Sequence, residues 1–524
     1  MAIKSSAQAY LAAMRQGGGL GVPADMVGTA GNFPLFFRYL PGIKCSPNLS
    51  YQRYREGGGG RYATLNLKEG FTHDIEFPVF ARAIPLGFLA SASTGPSAMA
   101  RNLQNLSGGN VSNGLYHPPL KKIAGGDSTL TTFLPTGSIA GMTVALGTNF
   151  TGTDKLAIGW GPTLEFVTAT TFATPTFTAF SATKYPHVAG EPVRTVNCYT
   201  TVATANTTGA SPLLVVSETG FVAADMLVIG GRSLAGFRGL NYGASEEKAA
   251  GTVAAGSIAF AGTLANQHAV GEWVYQADTA VTTTAVHGFE PMTALGGQLD
   301  YYTFERAVGT DIIERVQDSK MGGFGLSGEA LKPFTIQAKA AGRYGKTRTS
   351  AQALTENYTN QDPSLDIPFR FPNASFHFKV GSSLNYFNRC RKFDLQLNNI
   401  QAMDVFTNAI SRDEVPDLAA DLELTAEFYF DNPAEYYEAY YGTGAPASGT
   451  SPSSNAVLGE VLMDLNISAT ERAMVWVPNG VWEGFPVEVD PDPKPIVIQT
   501  KFSPLKGNEP AYLLAVQNKY LTTY

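Results

Sequence analysis

Two residue pairs, His187 with Glu191 and His268 with Glu272, have types and a spacing that could begin a metal site. Zinc takes three or four ligands, and each pair supplies two. A glycine precedes each glutamate in the pattern His-x-x-Gly-Glu, which points to a turn instead. The other candidates are carboxylates in alternating segments: Asp74 and Glu76 in "FTHDIEFPVF", Glu423 and Glu427 in "DLELTAEFYF". Paired acid and base groups would need a cleft between them. Alternate residues of one strand share one face, so these read as a solvated face. "VDPDPKP" at 489–495 carries two aspartates, but its prolines suggest a rigid turn, not a calcium loop. The chain has no HExxH, no Walker A lysine, no GxSxG and no CxxC. No catalytic residue, metal site or cofactor is expected.

The elements that would position these residues are strands. Charged residues are only 15% of the 524, while glycine (55), threonine, tyrosine and phenylalanine are abundant, a bias toward strands joined by turns. The expected fold class is mainly β, sandwich or barrel, with short flanking helices. A net charge of −7 argues against general electrostatic binding to DNA or an anionic membrane. Cys45, Cys198 and Cys390 lie far apart, so a disulfide framework is not expected. The N-terminal stretch lacks a secretory signal pattern and no apolar run reaches membrane-spanning length, so the expectation is a protein made in a cytoplasm, without membrane insertion.

Self-similarity organises the middle of the chain. "NFTGTDKLAIGWG" at 149–161 matches "GFVAADMLVIGGR" at 220–232 through Phe-x3-Asp-x-Leu-x-Ile-Gly, and both copies continue to His-x-x-Gly-Glu-x-Val. The second copy is ten residues longer in the intervening loop. Residues 127–200 and 201–283 are therefore expected as two small tandem β modules.

A weaker repeat links the flanks. Each acidic strand is followed by proline and a helical segment, "PLGFLASAS" from Pro85 and "PAEYYEAYYG" from Pro433. The aromatic run of the second reads as core or subunit interface. Residues 298–342 then parallel 460–503, and 42–54 upstream parallel 391–403. The expected plan is a first domain at 1–126 and 284–345, interrupted by the modules, and a second at 346–524. Polar loops follow the upstream pair: Arg55, Glu56, Gly57, Gly58, Gly59, Gly60 and Arg61 in one copy, and 408–417 with Arg412 and Asp413 in the other.

With its arm "GVPADMVGTAGNF", loop "RYREGGGGR", strand and helix at 71–92, hairpins from "TFERAVG" onward and closing "LLAVQNKYLTTY", the chain resembles the major tail tube proteins of long-tailed bacteriophages, in the larger form with two fused tube domains. The resemblance covers 1–126 and 284–524. It implies a virion protein, assembled in the host cytoplasm, whose copies close as trimeric pseudo-hexamers with a continuous inner β-barrel and stack into a tube. Other implied partners are a tape measure protein inside and tail terminator and distal tail proteins at the ends. The modules resemble immunoglobulin-like decorations. On this reading Asp74, Glu76, Glu423 and Glu427 face a lumen that passes double-stranded DNA, which carries about one negative charge per 1.7 Å, without gripping it. The loop residues 55–61, Arg412 and Asp413 would touch the next ring. The rival expectations are a phage or cell-surface fibre whose modules bind glycans, and an unrecognised carbohydrate-active enzyme.

Overall fold

The computed structural model describes 9–518 apart from 17–19, 25, 27–34, 38–43, 55–64, 95–102, 105–109, 112–114, 118–119, 161–162, 208, 231–245, 261, 265–266, 278–284, 290–298, 309–311, 348–366, 382–385, 403–404, 406–411, 413, 469–470, 488–494 and 506–510. The fold is mainly β and antiparallel, with two short α-helices among the described residues.

Two sets of six strands recur along the chain. The first comprises β1 (Ala9–Arg15), β2 (Lys44–Tyr54), β3 (Leu65–Phe80), β4 (Tyr302–Val308), β5 (Ile312–Glu329) and β6 (Thr335–Gly342), with α1 (Ala83–Thr94) after β3. The second comprises β7 (Ala374–Val380), β8 (Cys390–Gln401), β9 (Asp417–Tyr429), β10 (Leu458–Ser468), β11 (Glu471–Trp482) and β12 (Val497–Pro504), with α2 (Pro433–Tyr441) after β9. The ladders run β1·β4·β5·β6·β3·β2 and β7·β10·β11·β12·β9·β8.

The match extends to irregularities. Tyr302 pairs Ser319 and Phe304 pairs Val316, one extra residue on β5; Gly459 pairs Gly480 and Val461 pairs Val477, one extra residue on β11. Such a bulge bends its strand at a fixed place. Counting on from it, Gly323 and Gly484 occupy the same step, and both take positive φ, 112° and 126°. A side chain resists that backbone conformation, so each position favours glycine.

By contact density the chain forms two compact units. One holds Met1–Gly95, Leu295–Phe369 and Asp394–Glu423; the other holds Pro96–Ala294, Arg370–Phe393 and Leu424–Tyr524. The units do not follow the repeat boundaries. Strand Ala285–Phe289 pairs both Leu115–His117 and Leu513–Asn518, which ties the module-bearing segment to the C-terminal strands. The far half of the β8–β9 hairpin, Asp394–Glu423, belongs to the first unit.

Each module forms its own six-stranded sheet with the same connectivity. The first runs Asp127–Thr129, Pro192–Thr195, Lys155–Ile158, Glu165–Ala173, Thr176–Phe180, Met142–Thr143, and the second Tyr199–Thr201, Trp273–Gln276, Met226–Ile229, Glu246–Ala254, Ser257–Phe260, Leu213–Leu214. The repeated apolar positions fill the two cores: Phe150, Leu156, Ile158 and Val193 in one, Phe221, Leu227, Ile229 and Val274 in the other. The repeated aspartates close the preceding turn, Asp154 accepting from Thr151 N at 2.7 Å and Asp225 from Val222 N at 2.9 Å.

Candidate functional site

On β3 the residues His73, Ile75, Phe77 and Val79 are buried while Asp74, Glu76, Pro78 and Phe80 are half-buried. On β9 Leu422, Leu424, Ala426 and Phe428 are buried, Glu423, Thr425 and Glu427 half-buried and Asp421 exposed. The ladders align these strands: Ile75 pairs Ala340 as Leu424 pairs Phe502, and a lysine follows at Lys339 and Lys501. Asp74 therefore corresponds to Glu423, Glu76 to Thr425 and Pro78 to Glu427.

The four acids do not form an unrelieved negative face. Glu76 stands opposite Lys339 in the ladder. Glu427 is 3.2 Å from Lys392 Nζ, and Asp74 is 3.1 Å from Arg412 Nη1. Three of the four acids on this half-buried face thus stand beside a base.

Arg412 lies elsewhere than a solvent-facing loop. Its side chain is 2% exposed, and Nη1 donates to Asp74 Oδ1 and, at 3.0 Å, to the Gly342 carbonyl. Arg343 Nε donates to the Arg412 carbonyl at 3.0 Å. A guanidinium buried this far is held by its partners, because an unpaired buried charge is costly. It is an anchor within its own unit, held by Asp74 and Gly342. Residues 55–61 and Asp413 lie outside the described residues.

The module histidines are fully partnered. His187 Nδ1 donates to Glu191 Oε2 at 2.7 Å and Nε2 to Glu165 Oε1 at 2.8 Å; His268 reproduces this with Glu272 at 2.7 Å and Glu246 at 2.8 Å. All six side chains are buried. Burial alone would lower the His187 pKa, but the charges and hydrogen bonds of Glu191 and Glu165 outweigh it and raise it to about 9. His268 is raised to about 9 against burial by Glu246 and Glu272. Both ring nitrogens of an imidazolium are donors, so neither is left to bind a metal. Among the described residues no group of three or more His, Cys, Asp or Glu has the arrangement of a metal site.

The repeated Ile-Gly now has a cause. Gly159, at φ 78°, lies so close to the ring that a Cβ would stand 2.7 Å from His187 Nδ1 and 3.0 Å from Glu191 Oε2. Glu165 and Glu246 are the members that sequence reasoning missed. Each sits opposite the isoleucine of that motif, Ile158 pairing Glu165 and Ile229 pairing Glu246. The ten extra residues of the second copy fall before Glu246, so the equal spacing from each glutamate to its histidine was available as a signal.

Module one rests on the second strand set. Trp160, Tyr185 and Val188 pack with Leu462, Met474, Trp476 and Leu513, and Phe133 stacks on His377 at 4.1 Å between ring centres. At this seam burial, then the charge of Glu191, pushes the Asp464 carboxyl up to about 8, with Arg472 opposing. Arg472 Nη2 also reaches the Gly190 carbonyl at 3.4 Å. The two modules share an aromatic seam in which Phe166 meets Trp273 at 5.1 Å and Tyr275 at 5.2 Å.

No protein-family model matches the chain, and none of the curated proteins matches it. Among the described residues no helix is long and apolar enough to cross a membrane.

Proposed function

We propose that this protein is the subunit of a phage tail tube of the fused double-domain kind: three chains close into a ring of six like domains, and rings stack into a conduit for DNA. The observation that carries the reading is the duplication of one ladder, with the same strand order, the same bulge step and the same positive-φ glycine, on a single chain. Two equivalent domains in tandem are what a chain needs to occupy two successive positions of a ring, and a head-to-tail contact whose rotation closes gives such a ring.

The half-buried faces of β3 and β9 are the candidate lining. The bases Lys392 and Arg412 are taken up by Glu427 and Asp74, so a phosphate backbone would find in them no free cations of the sort that build affinity by counterion release. A wall without net attraction lets a polyanion slide. The modules, each with its own core and fastened to the second strand set, suit decorations on the outside.

Negative-stain imaging of the purified full-length protein tests this. Hollow tubes with a regular axial repeat are the expected result. A preparation that stays monomeric at every concentration and salt condition, with no annular particles, would overturn it.

A further inference from the structure

The two strand sets match in ladder but differ in what covers them. In the first, the far half of the β8–β9 hairpin lies on β5. Asn399 Nδ2 donates to the Met321 carbonyl at 3.1 Å and to the Ser93 carbonyl of α1 at 3.0 Å, and Gln401 Nε2 donates to Met321 at 3.2 Å. The hairpin passes so near that a Cβ on Gly323 would collide with the Leu397 carbonyl oxygen. Every residue of α1 is buried.

In the second set the corresponding step meets α2 instead. A Cβ on Gly484 would stand 3.3 Å from the Tyr440 hydroxyl, yet no residue of α2 is buried, and Glu483 and Val487 are exposed. Leu458, paired with Val481 at the same level, is 50% exposed, and Tyr437 and Tyr440 of α2 are exposed near by.

We infer that the exposed surface formed by β11 and α2 receives the β2–β3 hairpin of a second copy of the chain, as β5 receives β8–β9. The occupant follows from the duplication, because β2–β3 is the counterpart of β8–β9 in the other strand set. It extends in register as far as Tyr54 opposite Leu65. The sequence parallel between 42–54 and 391–403 places Gln52 where Gln401 stands.

The receiving sites also differ in chemistry, which assigns each hairpin its place. Lys320 on β5 is fully buried, 2.9 Å from Asp417 Oδ2 of the seated hairpin and 4.7 Å over the Tyr301 ring. Asp417 also accepts from Leu299 N at 2.6 Å and Gln401 Nε2 at 2.8 Å. In the second set Lys320 is replaced by Val481 and Tyr301 by Leu458, and the nearby Lys501 already faces Glu483 at 3.7 Å. The β2–β3 residues at this level, 52–54 and 65–67, include no carboxylate. Seating β8–β9 there would strand Asp417 against an apolar surface, and specificity of this kind rests on the penalty of the wrong pairing.

The inference deepens the ring reading by naming its contact, and the test separates the two. Gln52→Cys and Glu483→Cys are made in separate full-length chains, mixed, and treated with a short bismaleimide; Gly322, the counterpart of Glu483, would carry a Cβ 3.8 Å from Gln401 Oε1. The expected result is a 52–483 cross-linked peptide by mass spectrometry from the mixture and from neither variant alone. Leu458→Arg, at an exposed position, should abolish the link while leaving the melting temperature unchanged. Tubes without the link would overturn this contact and leave the ring reading standing. A link without tubes would keep the contact and overturn the ring reading. Absence of both, or an undiminished link in Leu458→Arg, would overturn the contact as well.

Discussion

Glu165 Oε1 stands 2.8 Å from His187 Nε2 with both side chains sealed from solvent, so the first module carries a buried ion pair that its repeat copies with Glu246 and His268. Removing one charge of a buried pair strands the other, at a cost of about 3–5 kcal/mol. Glu165→Gln should therefore weaken its own module. Hydrogen exchange of the full chain would read the loss as faster exchange of Lys155–Ile158 and Glu165–Ala173, with the second module's strands unchanged. Equal protection in the variant would contradict a stabilising role for the pair.

The same clusters give the protein an alkaline limit. A folded-state pKa raised from 6.5 to about 9, as for His187 and His268, contributes stability that is fully present below 6.5 and is lost as pH rises through 9. Asp464, raised from 3.8 to about 8, acts in the same direction, its contribution complete below 3.8 and gone above 8. Melting temperature should thus fall between pH 7 and 10, and His187→Gln should flatten the upper part of that profile. A profile that rises across this window would reverse the sign of the argument.

Gly159 and Gly137 share a positive φ, 78° and 84°, but differ in surroundings, since a Cβ on Gly137 would meet nothing within 4 Å. Gly137→Ala should cost about 1 kcal/mol, the conformational part alone. Gly159→Ala adds a collision with His187 and should cost roughly 2–4 kcal/mol. Chemical denaturation of the two variants separates strain from crowding.

Arg412→Met should lower the stability of the unit containing Asp74 and Gly342 by about 2–4 kcal/mol, chiefly through the carbonyl and packing partners, because Asp74 itself is partly exposed. Arg412→Lys should not restore it, since one ammonium cannot span the same partners. The measurement is the thermal melt of unassembled protein. A variant that melts normally yet fails to assemble would return Arg412 to a role between subunits.

How far the sequence could be read depended on whether a signal was local. The alternation along β3 and β9 was legible because period-two burial marks each residue directly, and His73 to Val79 and Leu422 to Phe428 follow it. The module repeat was legible through residues with no substitute: the turn-closing Asp154 and Asp225, and the glycine against the histidine. Glu165 was not, because its partner is set by strand pairing and the segments "EFVTATTFA" and "EEKAAGTVA" have diverged around it. Arg412 looked like loop because its neighbours in sequence are polar, yet its own side chain is buried and paired with Asp74 and Gly342. The aromatic α2 reads from sequence as core or interface; none of its residues is buried within the chain, which removes the first choice.

The attachment of module one to the second strand set alone, through β7, β10, β11 and the strand Leu513–Asn518, has a consequence for any particle built as proposed. Trp160 and Tyr185 find their seat on Leu462, Met474 and Trp476, whereas the first strand set bears no second pair of modules. A ring of three such chains would be six-fold within and three-fold at its rim. Antibodies raised against the modules would then label the particle at thirds of a turn, leaving alternate sectors clear for whatever else must reach the wall.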